Sequence, residues 1–388
     1  MLYGVMGDVR SIVFMNSTGD TFTPTHSGAI ATWIWEMCRA GAAHGVEPWV
    51  VTRSATHPAY PWARTVEIDY PFPPPIRGAG RFFDWHRRCR GWSHIRQGRY
   101  LRRTFEALAR IGAENSVLVF HNDPEAAVCA RRRFPGARIV HLFHNCNHAD
   151  ARWRSRFASS VDVAFAVSSF CARWNESYYG CAVRTLRNGV DVCRFRPLQK
   201  ETGRPVRIGF VGRTDSQKAP DLLLRALLKI SRIRKDFELQ ILGSRFYGAH
   251  AEDAYQAQLR RMVERLQQAG IPVYLPGFVS RMALPRELGR ADVHVVPSRW
   301  EDPCPLTVLE GMATGAACVV SRSGGVPEQV GDAAVCFERD DLEGLQGGLL
   351  RFLNDPDLRS EYGLRARKRA EARPWAAVFS DLLDGLGE

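Results

Sequence analysis

The chain has 388 residues, beyond the size at which a single hydrophobic core usually stops growing, so two domains are expected. Its 45% apolar and 24% charged composition is that of an ordinary globular protein, and no apolar run approaches the roughly 20 residues needed to span a bilayer. Lysines and arginines number 53 against 41 acidic residues, a net charge of +12 that suits nucleic acid, an anionic membrane surface or a phosphorylated small molecule and by itself selects none of them.

The N-terminus, MLYGVMGDVRSIVFMNSTGD, has no basic stretch leading into a long apolar one, so export is not expected and a cytoplasmic location is. Residues 11–15 read as a first strand, followed by a polar loop over 16–27. In AIATWIWEMCRAGAAHG, Ile30, Trp33, Ile34, Met37 and Cys38 recur at helical spacing, and Gly45 closes the pattern. Residues 48–51 form the next strand, and SVLVFHND, ARIVHLFHN and VDVAFAVSS each read as a buried strand running into a polar loop.

The pattern restarts after Arg194-Phe195-Arg196-Pro197. Strands are predicted at 207–211, 237–242, 273–275, 293–296, 317–320 and 334–337, with helices over 219–230 and about 253–269. Alternating strands and helices predict an α/β chain of two Rossmann-like, doubly wound parallel sheets with an interdomain cleft. The first domain is expected over 1–195 and the second over 196–370, ligands being held by loops at the carboxyl ends of the strands.

Two stretches break this rhythm. Residues 70–75 (YPFPPP) form a proline-rich extended loop, and 81–103 carries eight arginines interleaved with Phe82, Phe83, Trp85, Trp92 and Tyr100. That basic segment admits three readings: a cradle for a phosphorylated acceptor, peripheral contact with an anionic membrane on its inner face, or a solvated helix face. His144, Cys146 and His148 alternate along an extended run and are residue types that bind zinc. No fourth ligand is evident and none of the ten cysteines forms a C-x-x-C pair, so reduced thiols and no metal are expected.

Two charged loops carry the chemistry. Ile208 to Arg213 is a strand running into Gly212, with Lys218 five residues beyond Arg213 and just before a helix. Gly212 lets a ligand approach the backbone, and the two cations suit a diphosphate, although an ordinary solvated loop reads equally well. In EDPCPLTVLEGMATG, Pro305 suits the first position of a short helix that Gly315 ends. The amides of Leu306, Thr307 and Val308 would then face an anion, with the flanking acids free to accept sugar hydroxyls or merely to complement the helix dipole.

Together, RNGVDVCRFRP, VGRTDSQKAPDLLLRAL, EDPCPLTVLEGMATG and VVSRSGGVPEQVGDAAVCF resemble the retaining glycosyltransferases of family 4, a glycogen synthase and mannosyltransferase-like group with the GT-B fold. The resemblance implies transfer of a hexose-type sugar from a nucleotide-sugar donor, UDP-linked by family frequency, to a hydroxyl acceptor, with no metal and no other cofactor. It implies a donor diphosphate held by Gly212, Arg213, Lys218 and the amides of Leu306 and Thr307, with Gly28 of Ser27-Gly28-Ala29 facing it from the first domain. Glu301, Asp302, Cys304 and Pro305 would meet the donor sugar, Glu310 the ribose, and Phe278 and Val279 the base. His144 would lie near the reacting sugar, and a final helix over 371–388 would cross back to the first domain.

Three departures stand out. The family's Glu-x7-Glu pattern, counted back from Glu310, puts Asp302 at the first acid, with Glu301 beside it. Lys218-Ala219 replaces Lys-Gly, and Gly28 stands where a glycine pair is common. The changed acid permits a second function, a noncatalytic protein of the same fold that binds a sugar nucleotide or polyanion. No nucleic-acid partner is expected, and neither acceptor identity nor oligomeric state is legible.

Overall fold

The structure, a computed structural model, describes residues 11–17, 20–25, 28–69, 90–244 and 253–387, with backbone alone at 90–97. The proline-rich loop over 70–75, residues 81–89 of the basic segment, and Ser27 lie outside the described residues. Two compact units emerge: one from the residues up to Phe165 with Asn175–Arg184 and Leu382 onward, the other from Ala166–Trp174 and Thr185–Asp381.

The first unit is built on a sheet of β1 (Ile12–Met15), β2 (Trp49–Arg53), β3 (Arg64–Ile68), β4 (Val117–His121), β5 (Arg138–Phe143), β6 (Val163–Ala166) and β7 (Arg184–Thr185), in the order β3-β2-β1-β4-β5-β6-β7. Pairings among β3, β2, β1, β4 and β5 are parallel. The run IVFM of β1 is buried at every position because a central parallel strand is covered on both faces. Trp33, Ile34, Met37 and Cys38 of the Ala29–Ala43 helix are buried as expected, but Thr32, Trp35 and Glu36 between them are buried too and Ile30 is only half-buried, so the helix is enclosed on more than the one face their spacing predicts. From β1 the chain adds β2 and β3 on one side, then crosses to β4 on the other, which makes the gap between β1 and β4 the topological switch point.

In the second unit β8 (Val206–Val211), β9 (Phe237–Leu242), β10 (Val273–Gly277), β11 (Val293–Val296), β12 (Ala317–Ser321) and β13 (Ala334–Phe337) run in the order β10-β9-β8-β11-β12-β13. Every pairing is parallel, and the switch point falls between β8 and β11. Alternation along β11 sends Val293 and Val295 into one core with Leu223 and Leu227 of the Pro220–Ile230 helix, and Val296 into the other with Val308 and Met312. Each fully buried leucine of that stripe contributes about 1.5–3 kcal/mol. His294, between those valines, lies under the Leu306–Ala313 helix: a Cβ added at Gly311 would come 2.2 Å from its Cδ2, so the helix backbone rests directly on the ring.

Among the described residues no helix is long and apolar enough to cross a membrane, and the cysteines that are described are free.

Candidate functional site

At the ends of β8, β9 and β10 the backbone is stitched together. Gly212 donates its N–H to the Leu242 carbonyl at 3.0 Å, and Gly243 donates to the Gly277 carbonyl at 2.8 Å. Gly243 has φ of 142°, and a Cβ there would lie 1.9 Å from the Gly212 carbonyl oxygen, so only glycine permits the approach. The loops that follow enclose a cavity of about 410 Å3, lined by Gly212, Arg213, Gly243, Ser244, Phe278 and Val279 among others. Phe278 and Val279 therefore share one hollow with Gly212 and Arg213. Arg213 is partly engaged by its own loop, 2.9 Å from Asp215 and 3.0 Å from Gln217.

The switch point itself is occupied by an ion pair. Lys218 Nζ lies 2.5 Å from Asp302 Oδ2, and the Ser298 hydroxyl donates to the same oxygen at 2.9 Å. The Asp302 side chain is 3% exposed, whereas that of its neighbour Glu301 is 44% exposed. Glu301 pairs with Arg339 at 2.7 Å and accepts the Gly324 N–H at 2.6 Å. The two adjacent acids thus serve different surroundings, and Asp302, in the seven-residue register with Glu310, is the buried one facing a cation. Gly324, at φ of 52°, packs so closely on this loop that a Cβ would meet the Asp302 carbonyl oxygen at 2.3 Å. Behind it, Arg299 grips both Asp221 oxygens at 2.7 Å and ties the loop after β11 to the helix after β8.

The Leu306–Ala313 helix begins one residue later than expected. Pro305 is its N-cap, extended at ψ of 126°, and makes no side-chain cap. The Val308 N–H donates to the Pro305 carbonyl at 3.2 Å, which leaves Leu306 and Thr307 as the pair of amides with no carbonyl one helical turn back. Pro305 and Cys304 are pinned through their carbonyls, which accept from Gln329 Nε2 at 3.3 Å and Asn188 Nδ2 at 2.9 Å. Burial pushes the Cys304 thiol up to about 12, so it stays protonated and is no nucleophile at neutral pH.

Four residues into the helix, Glu310 Oε1 pairs with Arg281 Nη1. Glu310 is 2% exposed, and its second oxygen, Oε2, has no hydrogen-bond partner. Arg281, whose guanidinium also lies 5.1 Å from the Phe195 ring, is a residue that sequence reasoning missed. Its position in the loop after β10, just past Phe278 and Val279, was the available signal.

In the first unit Gly28 is the N-cap of the Ala29–Ala43 helix, and its N–H donates to Asp20 Oδ2 at 2.6 Å. The amide expected to face a diphosphate is thus already held by a carboxylate. Burial raises the Asp20 carboxyl to about 6, opposed by the N–H groups of Gly28 and Thr21 and by Arg53. His144 follows β5, and its Nε2 shares a hydrogen bond with His121 Nδ1 at 2.9 Å, while its N–H donates to Asn122 Oδ1 at 2.7 Å. Burial lowers His144 to about 3, so the imidazole is neutral. His148 instead packs on Tyr178, 5.1 Å between ring centroids. Among the described residues no three His, Cys, Asp or Glu side chains are grouped to hold a metal ion.

These features have counterparts in known proteins. The family model of the glycosyl transferases group 1 matches residues 194–369, and that of glycosyltransferase family 4 matches residues 30–194. A GDP-mannose-dependent monoacylated alpha-(1-6)-phosphatidylinositol monomannoside mannosyltransferase of Corynebacterium glutamicum is 27% identical over 56% of this chain, a match that spans 59% of that relative. Sucrose-phosphate synthase from Thermosynechococcus elongatus superposes with a TM-score of 0.76 at 18% identity, covering 96% of this chain and 97% of the other. HepE of Anabaena, solved with UDP and glucose, gives 0.68 at 14% identity over 96% and 98%. These structural likenesses establish the GT-B fold of two Rossmann-like parallel-sheet domains. With the two family models between them running from residue 30 to residue 369, the chain belongs to the group 1, family 4 glycosyltransferases.

Proposed function

We propose that the chain is a retaining glycosyltransferase that moves a hexose-type sugar from a UDP-sugar to an acceptor hydroxyl. The observation that carries this reading is the ring of complementary charge at the second switch point. Lys218 with Asp302 and Arg281 with Glu310 flank an uncapped helix start beside the Phe278–Val279 cavity.

In this reading the diphosphate rests on Lys218, Arg213, the Gly212 backbone and the amides of Leu306 and Thr307. The charge that develops on the departing nucleotide meets donors already in place, the main electrostatic contribution to rate. Arg281 orients Glu310, so that Oε2 can accept a ribose hydroxyl, while the base occupies the cavity. Asp302, Glu301 and the 304–305 backbone meet donor-sugar hydroxyls.

The acceptor oxygen bonds to the anomeric carbon on the face from which the phosphate leaves. The carbon–phosphate oxygen bond breaks with its electron pair, and the acceptor proton passes to the leaving phosphate. No metal is required, since cations and helix amides do its work. A relative that uses GDP-mannose and a neighbour solved with UDP make the base the first thing to test.

A thermal-shift panel of UDP, GDP and their sugar conjugates at millimolar concentration, repeated with chelator, tests the reading. UDP and one UDP-sugar are expected to stabilise the protein equally with and without chelator, and NMR of the product should show the donor's anomeric configuration retained. No shift with any nucleotide would point to a different ligand, and an inverted product would exclude retention.

A further inference from the structure

One stretch of the second unit, residues 188–197, is tied to both ends of the Leu306–Ala313 helix. Ahead of the helix, Asn188 Nδ2 donates to the Cys304 carbonyl at 2.9 Å. At the far end one guanidinium gathers stretch and helix together. Arg367 Nη1 donates to the carbonyls of Val192 at 3.1 Å, Phe195 at 2.7 Å and Ala313, the last helical residue, at 2.6 Å, and Nε pairs with Glu371 at 2.6 Å. Between those ends the stretch meets the partner of Glu310. The Phe195 ring lies 5.1 Å from the Arg281 guanidinium, and Arg194 Nη2 donates to the Arg281 carbonyl at 3.1 Å.

The arrangement breaks a local rule. Asn188 is 4% exposed and its Oδ1 has no hydrogen-bond partner. Turning the amide over would set that oxygen against the Cys304 carbonyl, so the buried acceptor stays unused. Gln329 repeats the pattern one residue along: Nε2 holds the Pro305 carbonyl at 3.3 Å, while Oε1 is buried without a partner. A stranded acceptor destabilises a fold, and such groups gather where position matters more than stability. What these two bonds fix is the course of the chain into Leu306 and Thr307, the two leading amides.

We infer that residues 188–197, joined to the helix by Arg367, position the donor site. Asn188 aims the amides of Leu306 and Thr307. Arg367, through Ala313 and Phe195, sets the helix along its axis and keeps Arg281 against Glu310. The inference rests on the donor reading, in which neither Asn188 nor Arg367 touches the nucleotide; both are positioning residues that act through the groups that do. Donors fixed before the charge develops stabilise it most, and a displacement of about 1 Å far from the chemistry can cost about a hundredfold. The Arg367 cation also meets the negative end of the helix whose positive end would face the diphosphate.

Isothermal titration of the full chain with UDP and GDP, about 20 °C below the unfolding midpoint of each variant, tests this. At that temperature a residue that only stabilises the fold lowers the midpoint and leaves affinity alone. Asn188→Ala, which removes the bond to Cys304 and the unused oxygen together, should weaken the nucleotide that the wild type binds by about tenfold. Arg367→Ala should weaken it by about tenfold as well, and Arg367→Lys, which keeps the cation but cannot hold three carbonyls, should restore part of the loss. Because Arg367 acts in part through Glu310, its penalty should fall to about threefold in a Glu310→Gln background. Should Asn188→Ala fail to fold, Gln329→Ala should show the same loss at the neighbouring carbonyl; should Arg367→Ala fail, Arg367→Lys carries the cycle. Affinity within about twofold of the wild type in either folded variant, or an Arg367 penalty unchanged by Glu310→Gln, would overturn the inference. Wild-type protein that binds neither nucleotide would instead remove the donor reading, and the inference with it.

Discussion

The two sheets share a topology and differ in the chemistry gathered at their strand ends. The first unit has a cavity at its switch point, lined by amides, hydroxyls, one imidazole and the Asp123 carboxylate, whereas the switch point of the second is filled by the Lys218–Asp302 ion pair, and a second pair joins Arg281 to Glu310. The contrast teaches that the fold supplies the place and side chains supply the selectivity, since a permanent dipole suits a hydroxyl and a buried cation suits a diphosphate. Both solutions carry a cost. Ion pairs must be complete to be tolerated in a dry site, and neutral histidines are stable only above the pH at which free imidazole would take a proton.

The sharpest way to break the comparison is to remove the buried ion pair's cation at the second switch point. Lys218→Ala removes a charge-assisted contact of about 1.5–3 kcal/mol, so UDP affinity measured by calorimetry should fall about 10- to 100-fold. It also strands Asp302, 2% exposed, and should cost about 3–5 kcal/mol of stability. The double variant Lys218→Ala with Asp302→Ala should recover most of the stability and none of the affinity. Recovery of both would mean that the pair is structural only.

Acid should expose the weakness of the first unit. Burial, with His144 second, lowers His141 to about 3, and His144 itself to about 3, so these rings bind protons in the unfolded chain before they do in the fold. Their contribution is complete above about 6.5 and is lost as pH falls toward the folded values. Asp20, raised to about 6, acts in the opposite sense, since ionising it above that pH disfavours the fold, but it is one group against several. Urea unfolding of wild type and His141→Leu at pH 6.5 and 5 should therefore differ in their pH loss by about 2 kcal/mol, the variant losing less. Equal losses would show that His141 is not held neutral.

Glu310→Gln keeps the shape of the side chain and removes its charge. UDP affinity should fall about tenfold, the effect of about 1.4 kcal/mol from one charged hydrogen bond. An unaltered affinity would remove Glu310 from the ribose. The smallest effect belongs to Glu301→Gln, because that side chain is 44% exposed and paired at the surface. Stability should change by less than about 0.5 kcal/mol. If turnover nevertheless collapses with Glu301→Gln and survives Asp302→Asn, the seven-residue register to Glu310 has been assigned to the wrong acid.

Much of this architecture was legible because central parallel strands announce themselves. IVFM is a continuous apolar run and VLVFH and RIVHLF are predominantly apolar ones, and each became a strand within a residue or so of its expected bounds. β3 did not announce itself: RTVEI lies at the sheet edge with Arg64 and Glu67 exposed, and its pairing with β2 comes from tertiary context. The charged positions of the second switch point, Lys218 after β8 and Asp302 in seven-residue register with Glu310, could be read from the sequence. Their partners could not, because Arg281 and Ser298 are brought to the acids by loops whose course no periodicity encodes. The capture of the Gly28 amide by Asp20 escaped for the same reason: eight residues of loop fold back to make it.

The seat of Gly311 on His294 leaves the Leu306–Ala313 helix no slack. A single methyl group at 311 would meet the side of a ring that is itself enclosed by the sheet, so it could be accommodated only by lifting the helix. Glu310 and the two leading amides would travel with it, away from Arg281 and from whatever they hold. A position away from the charged side chains therefore works as the fulcrum of the proposed donor site. Libraries meant to change donor preference should vary the walls around Phe278 and leave this pivot alone.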